Sequence, residues 1–292
     1  GTLYPLVLDF VGGGKLSVGP PYFNALFAPL TVVLALALGV GIYSRWKQTP
    51  AKVLLGRLGW PLLGSLVIAF AVPGVMGEGF PLWVVAGCFA AAWISLATVR
   101  DLFDKVRPPG ARGWRSVTRS YMGMILGHLG LAMTIAGATV VSAYSVERDV
   151  RMSPGDEVTL SGWTFRFEGL DHREGANFVS DRAHFLITQD GRPVTRLHPE
   201  KRKYVVQRSI MTEAGIDPGF WRDLYVSMGE PLDGEAWAIR VQYKPLVRWL
   251  WLGALLMALG GGLAISDKRY RLARAAAAQR APSVEGLQEV RS

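Results

Sequence analysis

The chain has 292 residues, 50% of them hydrophobic, and carries a formal net charge of +9. This length allows one or two domains. Its single cysteine, Cys88, excludes an intrachain disulfide, and the sequence contains no CxxC or zinc-type spacing. Because a chain this apolar is also strongly basic, the apolar and the basic residues must lie in different parts of it.

The apolar residues gather in five runs, which predict membrane-spanning helices. At about 1.5 Å rise per residue, runs of about 16 to 23 residues reach across a hydrocarbon core about 30 Å thick, the shortest only barely. We therefore predict an α-helical polytopic membrane protein with five transmembrane helices. The runs are Tyr22–Tyr43, Leu58–Pro73, Phe80–Val99, Tyr121–Ala143 and Leu246–Ile265.

Basic residues predict the orientation of these helices. Lys and Arg cluster after the first, third and fifth runs, as the positive-inside rule expects of cytoplasmic segments. The other side receives the turn GVMGEG and residues 144–245, which hold 14 Lys and Arg and 16 Asp and Glu, against 18 and 7 elsewhere. The positive charge thus belongs to the membrane-facing segments and does not indicate a nucleic-acid partner. The clustered residues are Arg45, Lys47, Lys52, Arg57, Arg100, Lys105, Arg107, Arg112, Arg115, Arg119, Lys268, Arg269, Arg271, Arg274 and Arg280.

This topology divides the chain into four segments. Residues 1–143 hold an outer N-terminal segment and four helices, residues 144–245 an outer domain, residues 246–265 the last helix, and residues 266–292 a basic cytoplasmic tail. The start GTLYPLVLDF has no initiator Met and no basic n-region, so it does not read as a signal peptide. An outer N-terminus without an export signal leads us to expect the C-terminal portion of a longer membrane protein.

The outer segment reads as a small all-β domain between helices four and five. In SGWTFRFEG, Trp163, Phe165 and Phe167 alternate with polar residues, as in a half-buried strand. Asp190-Gly191 separates two strand-like runs and predicts a hairpin. In EAWAIRVQYKP the residues Trp237, Ile239, Val241 and Tyr243 share one face. A segment of this size suits a barrel or a sandwich, and the sequence leaves both open.

His128 is an ionisable residue inside the fourth apolar run, where such residues are costly and mark functional sites. Neutral imidazole is a good iron ligand, and histidine commonly holds haem. A neighbouring stripe of small residues suits either a bulky planar ligand or tight helix contact. The residues alone leave open haem ligation, a polar contact with another helix and a proton relay. The stripe consists of Gly123, Gly127, Gly130, Thr134 and Gly137.

Other polar residues favour structural roles. His172, His184 and His198 in the outer segment have no i, i+4 metal spacing and fit surface or strand-edge positions. The acidic pairs Glu147/Asp149 and Asp156/Glu157 lie among arginines or turn residues, which favours solvated salt bridges. No P-loop, nucleophile elbow or dinucleotide fingerprint occurs, so the chain shows no enzyme site of its own. A transporter is disfavoured because the spans lack inverted-repeat symmetry and further ionisable residues.

A series of short motifs is similar to a known family. The motifs span nearly the whole chain up to about Tyr270, and together they resemble the C-terminal half of CcmF, the cytochrome c-type biogenesis family of haem lyases. They are GTLYPL, GKLSVGPPYFN, GHLGLAMTIAG, YSVERDVRMSPGDEV, EKRKY, MTEAGID, RDLYVSMGE and WAIRVQYKPLVRWLWLGALLMALGG.

The resemblance implies a membrane haem lyase of the bacterial inner membrane. Such a protein takes haem from a periplasmic haem chaperone and joins it to the CxxCH cysteines of apocytochrome c, which a thiol-delivery subunit presents. It also implies a permanent b-type haem (haem b) in the bilayer, thought to reduce the transferred haem iron, with quinol as a suggested electron source. By the resemblance, one axial ligand of that haem is His128, in the motif GHLGLAMTIAG.

The remaining haem ligands and the tryptophan-rich signature of the family belong to its N-terminal half and are absent from this sequence. The chain is therefore expected to act with that half and not to be catalytic without it. The resemblance makes Arg148 and Arg151 candidates for contacts at the haem-delivery site, against local salt bridges with Glu147 and Asp149. The alternative function is a non-catalytic membrane assembly subunit whose β-domain binds periplasmic partners.

Overall fold

The computed structural model describes residues 3–13, 19–44, 50–77, 79–107, 113–206 and 208–267. Most of the predicted basic tail, residues 268–292, lies outside these ranges. Two compact units divide the chain, one formed by Gly1–Ala71, Val85–Ala132 and Gly253–Ser292 and the other by Val72–Val84 and Met133–Leu252. The helices are α1 (Leu3–Phe10), α2 (Pro20–Gly41), α3 (Ala51–Met76), α4 (Leu82–Val106), α5 (Arg119–Tyr144) and α6 (Val247–Ile265), with a short 3-10 turn at Gly113–Ser116.

Helices α2 to α6 are long and apolar enough to cross a membrane, so the described residues contain the five predicted spans. The second predicted run, Leu58–Pro73, is part of a longer helix of 26 residues. Lys52 and Arg57 interrupt its apolar pattern but are good helix formers, so the helix begins before the apolar run does. Helix α1 was not predicted, because its eight residues are too few to cross the bilayer.

Buried aromatic side chains join α2 to α4 in the first unit. Tyr43 donates its hydroxyl hydrogen bond to Ala97 O at 2.7 Å, and Trp93 Nε1 donates to Leu36 O at 3.4 Å. An added Cβ at Gly39 would overlap the Trp93 ring, so the indole fits only against a glycine. Through these contacts, the Tyr43 hydroxyl and the Trp93 indole N–H each find a backbone carbonyl as acceptor. Hydrocarbon could not supply such an acceptor.

Ten strands follow α5 and form two antiparallel sheets in the second unit. One sheet has the order β1-β10-β9-β8, and the other β2-β3-β4-β6-β7 with β5 paired to β4. The last strand, β10, returns to pair with the first, β1. The two sheets share one hydrophobic core. The strands are β1 (Val146–Met152), β2 (Glu157–Leu160), β3 (Trp163–Glu174), β4 (Phe178–Gln189), β5 (Arg192–Leu197), β6 (Glu200–Tyr204), β7 (Ile210–Glu213), β8 (Gly215–Pro218), β9 (Arg222–Pro231) and β10 (Trp237–Pro245).

Alternating side chains build the core between the two sheets, as the sequence predicted. On β3 the side chains of Trp163, Phe165 and Phe167 are buried, and Trp237, Ile239 and Val241 of β10 are buried opposite them. Phe167 stacks on Phe185 of β4 with ring centroids 5.0 Å apart. Each fully buried aliphatic or aromatic side chain contributes about 1.5 to 3 kcal/mol, so this core accounts for much of the domain's stability.

The predicted hairpin and the junction with the last helix both use left-handed backbone. Asp190 and Gly191 have φ of 50° and 75°, the pair of positive values that a two-residue type I′ hairpin requires. Leu246, with φ of 56°, separates β10 from α6, and its N–H donates to Trp221 O at 3.0 Å. The last strand thus passes into the last helix through a single residue.

Glycines of α5 pack against α6. An added Cβ at Gly130 would lie 2.6 Å from Gly253 O, and one at Gly123 would overlap Gly260 O. In the second unit a Cβ at Gly137 would lie 3.1 Å from Leu250 N. Small residues of this kind let membrane helices approach closely enough for backbone contact. The stripe that could have served a planar ligand or a helix contact therefore serves a helix contact at these three positions.

Replacing Gly130 by alanine should destabilise the full-length chain by about 1 to 3 kcal/mol, because the added methyl overpacks the contact with α6. The matched control is Gly127→Ala, three residues earlier, where an added Cβ meets nothing within 4 Å. That change should be neutral or stabilise by up to about 1 kcal/mol through helix propensity. The free energy of unfolding in detergent, followed by far-UV circular dichroism, measures both, and equal effects would contradict the assigned contact.

Candidate functional site

His128 is the tenth residue of the 26-residue helix α5. At about 1.5 Å per residue, it lies about 14 Å along the helix axis from Arg119. Its side chain is half-buried, and its Nδ1 atom is buried without a hydrogen-bond partner among the described residues. A buried polar atom of this kind costs free energy unless a hydrogen-bond partner satisfies it.

Three hydroxyls inside the spans form local hydrogen bonds within their own helices. The hydroxyls of Ser65, Ser95 and Thr139 each donate to the backbone carbonyl four residues earlier, at 2.6, 2.8 and 2.8 Å. An imidazole ring is too large and rigid for this local bond, so His128 needs a partner from elsewhere. The Thr98 hydroxyl is also unpartnered, but an uncharged hydroxyl is a much poorer metal ligand than imidazole.

The side of α5 that carries His128 is opposite the one that contacts α6. A helix turns about 100° per residue, so Tyr121 and Ile135, seven residues before and after, share the side of His128, whereas Gly130 does not. Tyr121 donates to Asp101 Oδ2 of α4 at 2.6 Å, and Ile135 is buried. The alternative of a polar contact between His128 and another helix has no hydrogen bond at Nδ1 to support it among the described residues.

The donor set around His128 fits one axial ligand of a haem. Neutral imidazole in an apolar setting is a common haem ligand, and the His128 ring is not tied to another helix through Nδ1, which has no hydrogen-bond partner among the described residues. No cluster of three or more His, Cys, Asp or Glu able to hold a metal ion occurs in the part of the chain that the structure describes.

The outer histidines make contacts that the sequence did not predict. Ala183 N donates to Pro199 O at 2.9 Å, which brings the neighbouring residues His184 and His198 together with ring centroids 4.8 Å apart. His184 Nε2 lies 2.8 Å from Asp171 Oδ1. The two histidines are 14 positions apart in sequence, and only the fold joins them. His172 is exposed and pairs with Asp181, as a strand-edge position predicts.

The salt bridges of β1 differ from the predicted ones. Glu147 and Asp149 pair with Arg240 of β10 at 3.2 and 2.7 Å, not with Arg148 or Arg151. The cause is strand register, since Asp149 lies directly opposite Arg240. Hydrogen bonding from Arg240 lowers the pKa of the Asp149 carboxyl.

The two candidate arginines and the second acidic pair have surface positions. Arg151 Nη2 donates to Asp233 O at 3.2 Å, and Arg148 is exposed. Asp156 accepts a hydrogen bond from Ser153 N, and Glu157 pairs with Arg166 at 3.7 Å. The expectation of solvated salt bridges and turn contacts holds for this second pair.

The comparisons with known proteins agree with this architecture. Residues 143–245 match a family model described as the CcmF C-terminal beta-sandwich. The chain is 55% identical over 274 residues to the cytochrome c-type biogenesis protein CcmF of Pseudomonas aeruginosa, and 42% identical over 271 residues to that of Escherichia coli. Over these residues the chain is similar to the C-terminal part of CcmF. Each of these alignments covers 93% of the chain and 41% of the CcmF relative, so the chain spans less than half of their length.

A solved structure named Cytochrome c Heme Lyase CcmF has the same fold. It matches with a TM-score of 0.71 and 21% identity, over 91% of this chain and 42% of that one. The likeness supports the arrangement of five apolar helices with a β-domain inserted before the last. The CcmF family model also decides between the two β architectures that the sequence left open, in favour of the sandwich.

The β-sandwich should lose stability in mild acid through His198. Burial lowers the pKa of this imidazole, and the charges of Arg182 and His184 lower it further, while a backbone contact with Ala183 and the Asp171 carboxylate oppose them. The unfolded chain, with a histidine pKa of about 6.5, then binds the proton before the folded chain does. The free energy of unfolding should therefore fall as pH drops below about 6.5.

Replacing His198 by glutamine should reduce the loss of stability between pH 8 and pH 5, measured by denaturant titration of the full chain. The control is His172→Gln, which alters a side chain with 84% exposure on the same domain and should leave the His198-dependent loss in place. An unchanged pH dependence in the His198 variant would contradict the assignment.

Proposed function

We propose that this chain works as the C-terminal part of a cytochrome c haem lyase and that His128 supplies one axial ligand of a b-type haem. The observation that carries the proposal is the buried, unpartnered Nδ1 of His128 inside a helix able to span the membrane. Similarity to CcmF supports it, since the relatives are named as cytochrome c-type biogenesis proteins and the matching structure as a haem lyase.

The residues around His128 would hold its imidazole for this role. On one side of α5, the glycine contact with α6 fixes the helix at Gly123 and Gly130. On the side of His128, two helical turns before it, Tyr121 donates a hydrogen bond to Asp101 of α4. A helix held at both sides presents the imidazole with little freedom, which favours coordination over solvation. When bound, a b-type haem would supply one-electron chemistry for reducing the haem iron that is joined to the cytochrome.

The partners of the chain follow from the same proposal. A lone histidine makes one axial bond, so the second ligand and the haem-transfer site would come from the N-terminal half of the same lyase. The further partners would be a periplasmic haem chaperone, apocytochrome c with its thiol-delivery subunit, and quinol as electron donor. The chain's own part would be ligation and positioning, with no catalytic residue assigned to it.

We further propose the bacterial inner membrane as the location, with the N-terminus and the β-sandwich (residues 144–245) in the periplasm. If α2 to α6 cross the bilayer in turn, their ends alternate between its two faces. Arg248 of α6 then falls at one set of ends, and most of the described basic residues on these helices fall at the other. Cytoplasmic loops carry such an excess of Lys and Arg. The residues at that set of ends are Lys52, Arg57, Arg100, Lys105, Arg107 and Arg119.

The test is a reduced-minus-oxidised absorption spectrum of the purified complex formed by this chain and the N-terminal half of the lyase. The unmodified complex should show the α-band of a b-type haem. The His128→Ala complex should lose most of that band, because one axial ligand is gone.

A matched control is Ile135→Ala, which removes a buried side chain from the same side of α5 without removing a ligand. This variant should keep the band even where stability falls by about 2 to 5 kcal/mol. If the His128→Ala complex inserts, assembles and keeps an unchanged haem band, His128 is not the ligand. The alternative of a non-catalytic assembly subunit, with partners bound by the β-sandwich, would then be the better account.

A further inference from the structure

A basic cavity lies between the second and third turns of α3 and the C-terminal end of α4. Its volume is about 620 Å³, and it is open along one side to its surroundings. The lining residues on α4 recur at spacings of three and four, which places them on one side of the helix. The cavity is lined by Arg57, Trp60, Arg100, Phe103, Asp104 and Arg107.

The charges in this cavity are unbalanced. Three arginines face one carboxylate, Asp104, which lies 3.6 Å from Arg100 Nε. Arg100 Nε is buried and has no hydrogen-bond partner in the described ranges. Within those same ranges, Arg57 and Arg107 have no carboxylate at salt-bridge distance. An anion in the cavity would offset this excess charge.

Aromatic rings locate the cavity at the edge of the apolar region. The Arg100 guanidinium lies 5.8 Å from the Trp60 ring centroid, and that of Arg107 lies 4.8 Å from the Phe103 centroid. Trp60 and Phe103 are about half exposed. Tryptophan beside arginine at the ends of spanning helices is typical of the level of lipid headgroups. The anion available at that level in a bilayer is a lipid phosphate.

We propose that this cavity binds the phosphate group of an anionic phospholipid. Guanidinium groups bind phosphate oxygens in pairs of parallel hydrogen bonds, and the excess positive charge favours a headgroup with net negative charge over a zwitterionic one. The aromatic rings would pack against the glycerol and the upper acyl carbons. This site is independent of His128 and of the haem proposal. A soluble phosphate ester has the same anionic chemistry, so the experiment includes one.

The experiment is native mass spectrometry of the delipidated full-length chain, titrated separately with phosphatidylglycerol, phosphatidylcholine and glycerol 3-phosphate. The unmodified chain should bind phosphatidylglycerol at least about tenfold more tightly than phosphatidylcholine. The double variant Arg57→Gln/Arg107→Gln should lose this preference, since two basic residues near a headgroup together contribute about a tenfold change or more. Binding should also weaken as ionic strength rises, because the charges are partly exposed.

The matched control is Lys52→Gln/Arg119→Gln, which removes the same charge from exposed positions at the ends of α3 and α5, outside the cavity. Its preference should stay within about twofold of the unmodified chain. Binding of glycerol 3-phosphate to the unmodified chain and the control variant, but not to the Arg57→Gln/Arg107→Gln variant, would support a phosphate site. That result would overturn the lipid as the source of the phosphate. Equal binding of both lipids by the unmodified chain, a result that needs no variant, would overturn the proposal. Equal loss of the preference for phosphatidylglycerol in both double variants would also overturn the proposal.

Discussion

Hydrocarbon offers no hydrogen bonds, and this constraint organises the whole chain. Each spanning segment is helical, so the backbone bonds within itself. Buried hydroxyls such as those of Ser65 and Thr139 donate to carbonyls of their own helix, and the tyrosine and tryptophan of the α2–α4 contact donate to carbonyls of the neighbouring one. The Nδ1 atom of His128 departs from this rule, as do the Thr98 hydroxyl, Arg100 Nε and Trp249 Nε1 among the described residues. In the proposed function, the imidazole binds a cofactor held jointly with another polypeptide segment.

The two sides of α5, the helix that carries His128, make different contacts. One side has glycines at the positions where the backbone of α6 comes closest, so bulk there is excluded. The other carries larger side chains and the imidazole. Separating the two lets the helix be held firmly without occupying the space beside the histidine. Rigid support of a ligand by contacts away from it is a general requirement of functional sites.

Much of the fold could be predicted because it follows local periodicity. Apolar runs gave the five spans, and alternation at Trp163, Phe165 and Phe167 gave a core strand whose residues are buried as expected. The start of α3 could not be predicted in this way, since charged residues end an apolar run without ending a helix.

Pairings between residues far apart in sequence could not be predicted from local patterns. Asp149 and Arg240 are 91 positions apart, and only the register of β1 against β10 brings them together. The same holds for the contact of His184 with His198, and for the cavity that joins Arg57 to Arg107. For the candidate site, the sequence supplied His128 and a family resemblance. The structure added the absence of a hydrogen bond at Nδ1 among the described residues and the use of the glycines for helix contact.

The central claim is that His128 donates its imidazole to a haem iron, and ligand rescue tests it most directly. His128→Gly should remove the ligand and open a space of the size of an imidazole ring at that position in the assembled complex. We expect the b-type α-band to be weak in this variant and to return when millimolar imidazole is added. A band that is unchanged by the substitution, and indifferent to imidazole, would contradict the account.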